Sequence, residues 1–229
     1  MDNITLLFGD KIYVENIGYI HQPKMQDILD VGFSNYGAYL IPHLISIEYI
    51  SQEEEIPHDL KFFDYIFQKE ALPSLVNSLL FFIQDKINVD IDNQRIIVGD
   101  NGFIDRTNLD ELSDAILKIS CREKIKPDII PTFENDAQKD VYAKIMEGRK
   151  KKAEKEGINF ETIINIVANG GKSFVPYDEI RKMTVFQIMS RYYFIMAEEG
   201  FDREFAKYLA GADFKELDLT HWINKVKIT

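Results

Sequence analysis

The strongest amphipathic pattern in the chain runs from residue 183 to residue 200. At about 100° per residue, its apolar side chains fall on one broad arc: Val185, Ile188, Met189, Tyr192, Tyr193, Ile195 and Met196. Thr184 and Gln187 have the spacing of a capping box, in which each side chain binds the backbone N–H of the other residue. Gly200 follows the last apolar position, where a helix commonly ends. The pattern therefore predicts a helix over residues 184–200 that packs against several neighbours.

Phe194 breaks this pattern, because it lies among polar side chains such as Arg191 and Glu198. One interpretation is that the C-terminal tail around Trp222 covers this side, so that Phe194 is part of the core. The other is that Phe194 is an exposed aromatic anchor for a partner protein, a residue type that dominates many interfaces. The sequence therefore indicates Phe194, Arg191 and Trp222 as candidate partner-binding residues.

The first part of the chain mixes strand and helix patterns. Two short strands are predicted at residues 4–8 and 11–14, around a turn at Gly9 and Asp10, and an extended segment follows at 17–21. Alternation over residues 86–102 predicts a hairpin. Helical spacing predicts further helices over residues 24–31, 59–68 and 73–86. Another helix is predicted from Ser34, and Pro42 should kink or stop it. A last helix of this part is predicted to begin at Asn108, because Asn108 and Glu111 have the spacing of a second capping box.

The second part of the chain carries only helical patterns. Residues 135–156 are highly charged and sparsely apolar, which predicts a solvated linker helix. The alternative is that the basic run at residues 149–152 recognises an acidic surface. Asn159 is placed to cap a helix over residues 160–168, and another short helix is predicted over 202–210, ended by Gly211.

These patterns predict a predominantly α-helical α+β fold. Small β-hairpins lie in the N-terminal part, and the C-terminal part is all-helical. The predicted division is an acidic α+β domain at residues 1–126, a charged helical linker at 127–157 and a helical domain at 158–229.

Charge and composition narrow the classes of function. The first 131 residues contain 22 acidic and 11 basic side chains, which accounts for the whole net charge of −11. This excess opposes non-specific nucleic-acid binding and favours a basic or apolar partner. The single cysteine, Cys121, cannot form an internal disulfide, and the N-terminus lacks the pattern of a signal peptide. The apolar stretch at residues 71–83 is too short to cross a bilayer. We therefore expect a cytoplasmic protein that binds neither nucleic acid nor membranes.

Two short motifs resemble ligand-binding loops but lack essential residues. The run at residues 171–173, Gly-Lys-Ser, ends like a phosphate-binding loop, but Ile166 stands where that motif needs its first glycine. The segment also follows a predicted helix instead of a strand. Residues 90–94 begin like a calcium loop, but Arg95 replaces the expected glycine and no glutamate closes the loop. A hairpin turn explains these residues better.

The remaining titratable residues show no catalytic or metal-binding spacing. Cys121 has no adjacent histidine, which favours an inert thiol. The histidines lack the paired spacing of a metal site, and they are His21, His43, His58 and His221. The sequence therefore predicts no metal, no cofactor and no enzymatic activity. A catalytic site assembled from distant residues is the alternative.

Several stretches, taken in order, resemble a known group of proteins. They are residues 19–32, followed closely by Tyr36 and Tyr39-Leu40, then 97–112, the charged segment 147–152, residues 177–187, and the Thr-His-Trp-Ile tail at 220–223. Together they resemble proteins encoded among the tail genes of phages and phage-tail-like particles of Gram-positive bacteria, in particular the tail assembly chaperone group. The resemblance extends over most of the chain.

The resemblance implies a function without catalysis. Members of that group are thought to bind the tape-measure protein and tail-tube subunits during assembly, which keeps apolar helical segments from aggregating. By this resemblance the chain is a protein-binding factor in the host cytoplasm. Because the chain is longer than many such chaperones, a structural subunit of the tail or baseplate is a second interpretation, and self-association stays open.

Overall fold

Helices dominate the structure, and its strands lie in the N-terminal half. The computed structural model describes residues 3–51, 56–57, 60–68, 71–127, 131–133, 135–156, 159–213 and 217–224. One sheet pairs β1 (Ile12–Val14) with β2 (Gly18–Ile20), and the other has the order β3 (Ile87–Asp90), β4 (Arg95–Val98), β5 (Gly102–Ile104), all antiparallel. The helices are α1 (Asn3–Phe8), α2 (Met25–Val31), α3 (Phe33–Leu44), α4 (Ile47–Ile50), α5 (Phe62–Gln68), α6 (Leu72–Ile83), α7 (Leu109–Ile119), α8 (Asp136–Glu156), α9 (Phe160–Asn169), α10 (Tyr177–Ile180), α11 (Val185–Leu209) and a short 3₁₀ helix at Trp222–Asn224.

This architecture confirms the predicted fold class, a mostly helical α+β protein. The described residues that follow β5 form helices and loops but no strand. Among the same described residues, no helix has an apolar run long enough to cross a membrane. His58 lies outside the described residues.

The capping box at the start of α11 forms as predicted. The Gln187 N–H donates to the Thr184 hydroxyl at 3.2 Å, and the Thr184 N–H donates to Oε1 of Gln187 at 2.8 Å. Thr184 is buried and Gln187 is half-buried, so these hydrogen bonds are partly shielded from water. The Gln187 side-chain amide also donates to the Leu7 carbonyl at 2.7 Å. The cap therefore both starts α11 and fastens α1 to it.

The predicted end of this helix at Gly200 is wrong. α11 continues without a break to Leu209, so the helix predicted over residues 202–210 is its second half. Past Gly200, the Phe201 ring packs against Phe205 and against His221 of the C-terminal tail, with ring centroids 6.1 Å and 5.3 Å apart. These contacts support the helix beyond the glycine, which costs only about 1 kcal/mol inside a helix. Gly211, which has a φ of 91°, follows the last residues of the helix as predicted.

The buried face of α11 is rotated relative to the predicted arc. Phe186 and Ser190 are buried, whereas Tyr193 and Met196 are exposed. Positions 186, 190 and 194 lie above one another on a helix, and this row runs from the edge of the predicted arc, at Phe186, into the predicted polar side. α1 packs against α11, and the tail covers Phe194. The buried face of α11 therefore differs from the predicted one because α1 and the tail, which are distant in sequence, pack against it.

The prediction of a strand at residues 4–8 is also wrong, because these residues lie in α1. Leu6 is fully buried, and Gly9, with a φ of 73°, ends the helix instead of joining two strands. The Gly9 N–H donates to the Leu6 carbonyl at 3.1 Å, as at a helix C-terminus. Packing against α11 outweighs the weak strand preference of this segment. The hairpin forms one element later, between β1 and β2, where Asn16 adopts a φ of 62° in the turn.

β5 joins the two sheets and was not predicted as a strand. The Phe103 N–H donates to the Asn16 carbonyl in the β1–β2 turn at 2.8 Å. A Cβ atom at Gly102 would lie 2.4 Å from the Ile17 carbonyl oxygen, so this approach requires glycine. The predicted turn at residues 90–94 is confirmed, with Asp90 accepting hydrogen bonds from Asn93 and Arg95.

The helix after Asn108 forms as predicted, but its capping box does not. The Asn108 side chain accepts from the Asp105 N–H at 2.9 Å and donates to the Phe103 carbonyl at 2.9 Å. Both contacts lie upstream of α7. Asn108 therefore orders the β5–α7 loop instead of capping the helix.

His43 connects three helices inside the core. It is fully buried in α3, and its Nδ1 lies 2.9 Å from the Ser113 hydroxyl of α7. Its Nε2 lies 2.8 Å from the Ser78 hydroxyl of α6. Burial, with a smaller contribution from Lys124, lowers the pKa of His43 to about 3. The imidazole is therefore neutral, and it donates at one nitrogen and accepts at the other.

Buried apolar residues from both predicted parts belong to one hydrophobic cluster. Leu6, Phe82 and Leu112 come from the first part, and Val167 and Phe186 come from the second. The predicted linker helix α8 is solvated, and the described side chains on it are exposed or half-buried. The boundaries at residues 127 and 158 stay a prediction.

We expect Thr184→Ala to lower the free energy of unfolding by about 1 kcal/mol, because α11 loses its N-cap. Thr162→Ala is the control, since Thr162 lies exposed in the first turn of α9. Urea denaturation of both variants measures the difference. Equal stability of Thr184→Ala and the wild type would show that the cap does not support the fold.

We expect stability to fall as the pH drops below 6.5. The folded pKa of His43 is about 3, so the unfolded chain takes up the proton first. The loss approaches about 1.4 kcal/mol per pH unit between these two pKa values. Urea denaturation at pH 7 and pH 5 measures this slope, which His43→Leu should remove and the control His221→Leu should keep. An unchanged slope in His43→Leu would contradict the assignment.

Candidate protein-binding site

The structure brings two of the predicted partner-binding residues together. Phe194 and Trp222 pack edge to face, with ring centroids 5.8 Å apart and an interplanar angle of 76°. Trp222 is half-buried, and 37% of Phe194 is still exposed. The tail thus covers Phe194 in part, and its role as an anchor stays a prediction.

Arg191 has a role inside the molecule. Its guanidinium donates to the Ser173 carbonyl at 2.8 Å and to the Ser173 hydroxyl at 3.0 Å. Its Nε is buried without a hydrogen-bond partner among the described residues. Arg191 therefore ties the loop after α9 to α11.

Phe194 belongs to a longer aromatic row on α11. The row continues along the helix with Phe201, Phe205 and Tyr208, and neighbouring rings lie 6.1 to 6.3 Å apart. From the tail, His221 and Trp222 stack on each other at 5.5 Å beside this row. Phe205 and Tyr208 are each 44% exposed. The row is therefore a partly covered apolar surface.

Another apolar surface lies where α2 and α3 face α9 and α10. We call it the apolar groove, and it has a volume of about 670 Å³. The lining side chains are mostly apolar: Met25, Leu29, Phe33, Phe160, Ile164, Tyr177 and Ile180, with Asn159, Glu161, Asn165 and Arg181 at the polar positions. Leu29, Phe33 and Tyr177 are each more than 40% exposed. This size and mixture are typical of a binding site.

Backbone hydrogen bonds hold the two walls of the apolar groove together. The Met25 N–H donates to the Met183 carbonyl at 2.8 Å, and the Gln26 N–H donates to the Arg181 carbonyl at 3.0 Å. The Arg181 guanidinium reaches the Gln26 side chain at 3.3 Å. On the α9 side, the Tyr177 hydroxyl donates to Asn165 at 2.7 Å. The groove is therefore formed before any ligand binds.

Sequence reasoning missed the apolar groove. Its lining comes from residues 25–33 and 159–181, which are more than 120 positions apart. Leu29 and Phe33 are four positions apart, but Gly32 separates their helices, so the pattern does not continue from one helix to the next. One feature of the groove that the sequence did predict is the start of α9. There Asn159 caps the helix and accepts a hydrogen bond from the Thr162 N–H at 2.7 Å, as predicted.

None of the described groups whose pKa is shifted lines the apolar groove. Burial raises the pKa of Tyr36 and of Cys121 to about 12 each. Among the described residues, no group of three or more His, Cys, Asp or Glu side chains could hold a metal ion. The apolar groove is therefore mostly apolar surface with a few polar groups.

Residues 149–227 match a family model, the YomV second domain. This family is phage-associated, and the match supports a phage origin for the chain. The matched range covers the end of α8, all of α9 to α11 and the tail, about a third of the chain. No curated protein and no solved structure matches the chain.

We expect Phe194→Ala to expose Trp222, the single tryptophan of the chain, to water. The tryptophan emission maximum should shift to longer wavelength, and the free energy of unfolding should fall by about 1 kcal/mol through the lost ring pair. Phe174→Ala, at a position that is 66% exposed, is the control and should change neither quantity. An unchanged emission maximum in Phe194→Ala would contradict this packing.

Proposed function

We propose that this chain is a non-catalytic protein-binding factor in the assembly of a phage tail or phage-tail-like particle. It acts as a tail assembly chaperone in the host cytoplasm and engages the tape-measure and tail-tube proteins. The apolar groove is the observation that carries the proposal. The phage-associated match over residues 149–227 and the resemblance of the sequence to tail-gene proteins support the setting.

The mostly apolar lining of the groove suits one face of an amphipathic helix. Such a helix presents apolar side chains at positions i, i+3 or i+4, and i+7, which enter a groove between helices. Leu29, Phe33 and Tyr177 supply exposed apolar contacts along it. A long helical protein that has not yet assembled exposes such faces and would aggregate. Shielding one of them is the task of a chaperone.

Charge favours a basic flank on the bound helix. The first 131 residues carry the whole net charge of −11. α2 forms one wall of the apolar groove and belongs to this acidic part, with Asp30 exposed at its end. Basic side chains on the polar face of the partner would therefore be attracted to this wall, which mainly speeds association.

A structural subunit of the tail or baseplate is the second candidate function. The observation that favours it is α8, whose described side chains make few contacts with the rest of the chain. Val141 and Ile145 lie one turn apart on it and are 57% and 47% exposed. An exposed apolar pair on a solvated helix suits a contact between subunits in an assembled particle.

We expect Leu29→Ser to weaken binding of the tape-measure protein at least thirtyfold, since an anchor residue contributes about 2 kcal/mol or more. The chain is co-expressed with the tape-measure protein of the same phage, and affinity and soluble yield are measured. Leu80→Ser is the matched control, because Leu80 is 47% exposed on α6 and does not line the apolar groove.

The outcomes separate the two functions. Loss of binding in Leu29→Ser but not in Leu80→Ser supports the chaperone. Equal binding by both variants contradicts the role of the apolar groove. Finding the chain in purified mature particles, with no effect on the solubility of the tape-measure protein, favours the structural subunit.

A further inference from the structure

A second cavity adjoins the apolar groove. We call it the inner cavity, and its volume is about 360 Å³. Phe33 and Phe160 line both spaces, and their rings pack edge to face at 5.7 Å, so this pair separates them. The other apolar lining residues come from α3, α9 and α11: Leu40, Ile163, Val185 and Met189. A cavity of about 150 Å³ with apolar walls already binds benzene, so the inner cavity has room for a larger apolar group.

Two hydroxyl groups lie side by side at the border of the inner cavity. Tyr36 and Ser120 line it, and the Ser120 hydroxyl opposes in part the effect of burial on the Tyr36 pKa, which still rises to about 12. Tyr36 therefore keeps its proton. Neither hydroxyl has a further hydrogen-bond partner within the described part of the chain, so this pair can bind a ligand oxygen.

A cation lies at the mouth of the inner cavity. Arg122 lines it and is exposed, and its guanidinium makes no ion pair or hydrogen bond with any described residue. Its neighbour Lys124, by contrast, is paired with Asp110 and Asp114 at 3.1 Å each. Arg122 is thus available to a carboxylate, which a guanidinium binds with strong, charge-assisted hydrogen bonds.

We propose that the inner cavity binds an amphipathic carboxylate, with its apolar chain or ring among the residues of α3, α9 and α11 and its carboxylate beside Arg122. An apolar side formed by three helices, opposite a cation and two hydroxyl groups, selects this chemistry over a neutral or a basic molecule. Two kinds of molecule carry such a carboxylate. One is a free aliphatic acid, and the other is the C-terminal residue of a peptide that ends in an apolar side chain. The site does not depend on the proposed chaperone function.

Gly37 is a position at which entry to the inner cavity can be obstructed without disturbing the fold. It lies in the middle of α3 and lines the cavity, and a Cβ atom there would meet no atom within 4 Å. Gly37 is exposed, so Gly37→Leu adds a side chain at the open edge of the cavity, where it obstructs entry, and replacing a glycine inside a helix favours folding. Gly148→Leu is the matched control, because Gly148 is a helical glycine with the same free space on α8.

The experiment measures binding of three probes to the full chain by calorimetry: decanoate, decanol, and acetyl-Ala-Phe with a free carboxylate. We expect decanoate or the peptide acid to bind the wild type and Gly148→Leu, and to lose binding to Gly37→Leu. Arg122→Gln should weaken binding of the acid about tenfold and leave decanol unchanged, whereas the control Arg106→Gln should change neither. Tighter binding of decanoate than of acetyl-Ala-Phe would identify a free aliphatic acid as the ligand, and tighter binding of acetyl-Ala-Phe would identify a peptide C-terminus.

Cys121 gives an independent readout. It lines the inner cavity, is half-buried and is the single cysteine of the chain. Because burial raises the pKa of its thiol to about 12, alkylation by iodoacetamide is slow and is followed at alkaline pH, where its rate reports access to this space. A bound acid should slow alkylation at least threefold. The proposal is overturned if neither acid binds the wild type, if Gly37→Leu binds as tightly as Gly148→Leu, or if decanol binds as tightly as decanoate. A failure here leaves the apolar groove unaffected, because Leu29 does not line the inner cavity.

Discussion

The turn between α10 and α11 holds the molecule together. Carbonyl groups of Arg181 and Met183 accept hydrogen bonds from the start of α2, and the capped end of α11 binds α1 through the Gln187 side chain. Residues separated by more than 150 positions meet there. Because α2 and α10 both line the apolar groove, the same hydrogen bonds fix the distance between its walls. A preformed groove loses less conformational entropy on binding than one that must be assembled.

The sequence predicted local features well, because neighbouring residues determine them. The caps at Thr184 and Asn159 formed, Gly211 ended α11, and the 90–94 turn closed a hairpin. Predictions failed where distant residues compete with local preference. α1 is a helix because it packs on α11, and α11 passes Gly200 because the tail supports its aromatic side chains.

The candidate binding site was harder to predict for the same reason. The contact between Phe194 and Trp222 could be predicted because Phe194 is an aromatic residue on the polar side of an otherwise regular helical pattern. The apolar groove left no such mark, since its two walls each look like ordinary core-facing helix surfaces. Likewise, His43 carries no motif in the sequence, and its role depends on serines from α6 and α7 that reach it only in the fold.

We propose that the apolar groove receives a helix of the tape-measure protein. A nuclear magnetic resonance titration of the isotope-labelled chain with soluble helical peptides from that protein tests it most directly. The account predicts that the largest shift changes fall on groove residues such as Leu29, Phe33, Ile164 and Tyr177. Shift changes concentrated on α8 or on the aromatic row of α11, with the groove unperturbed, would contradict it.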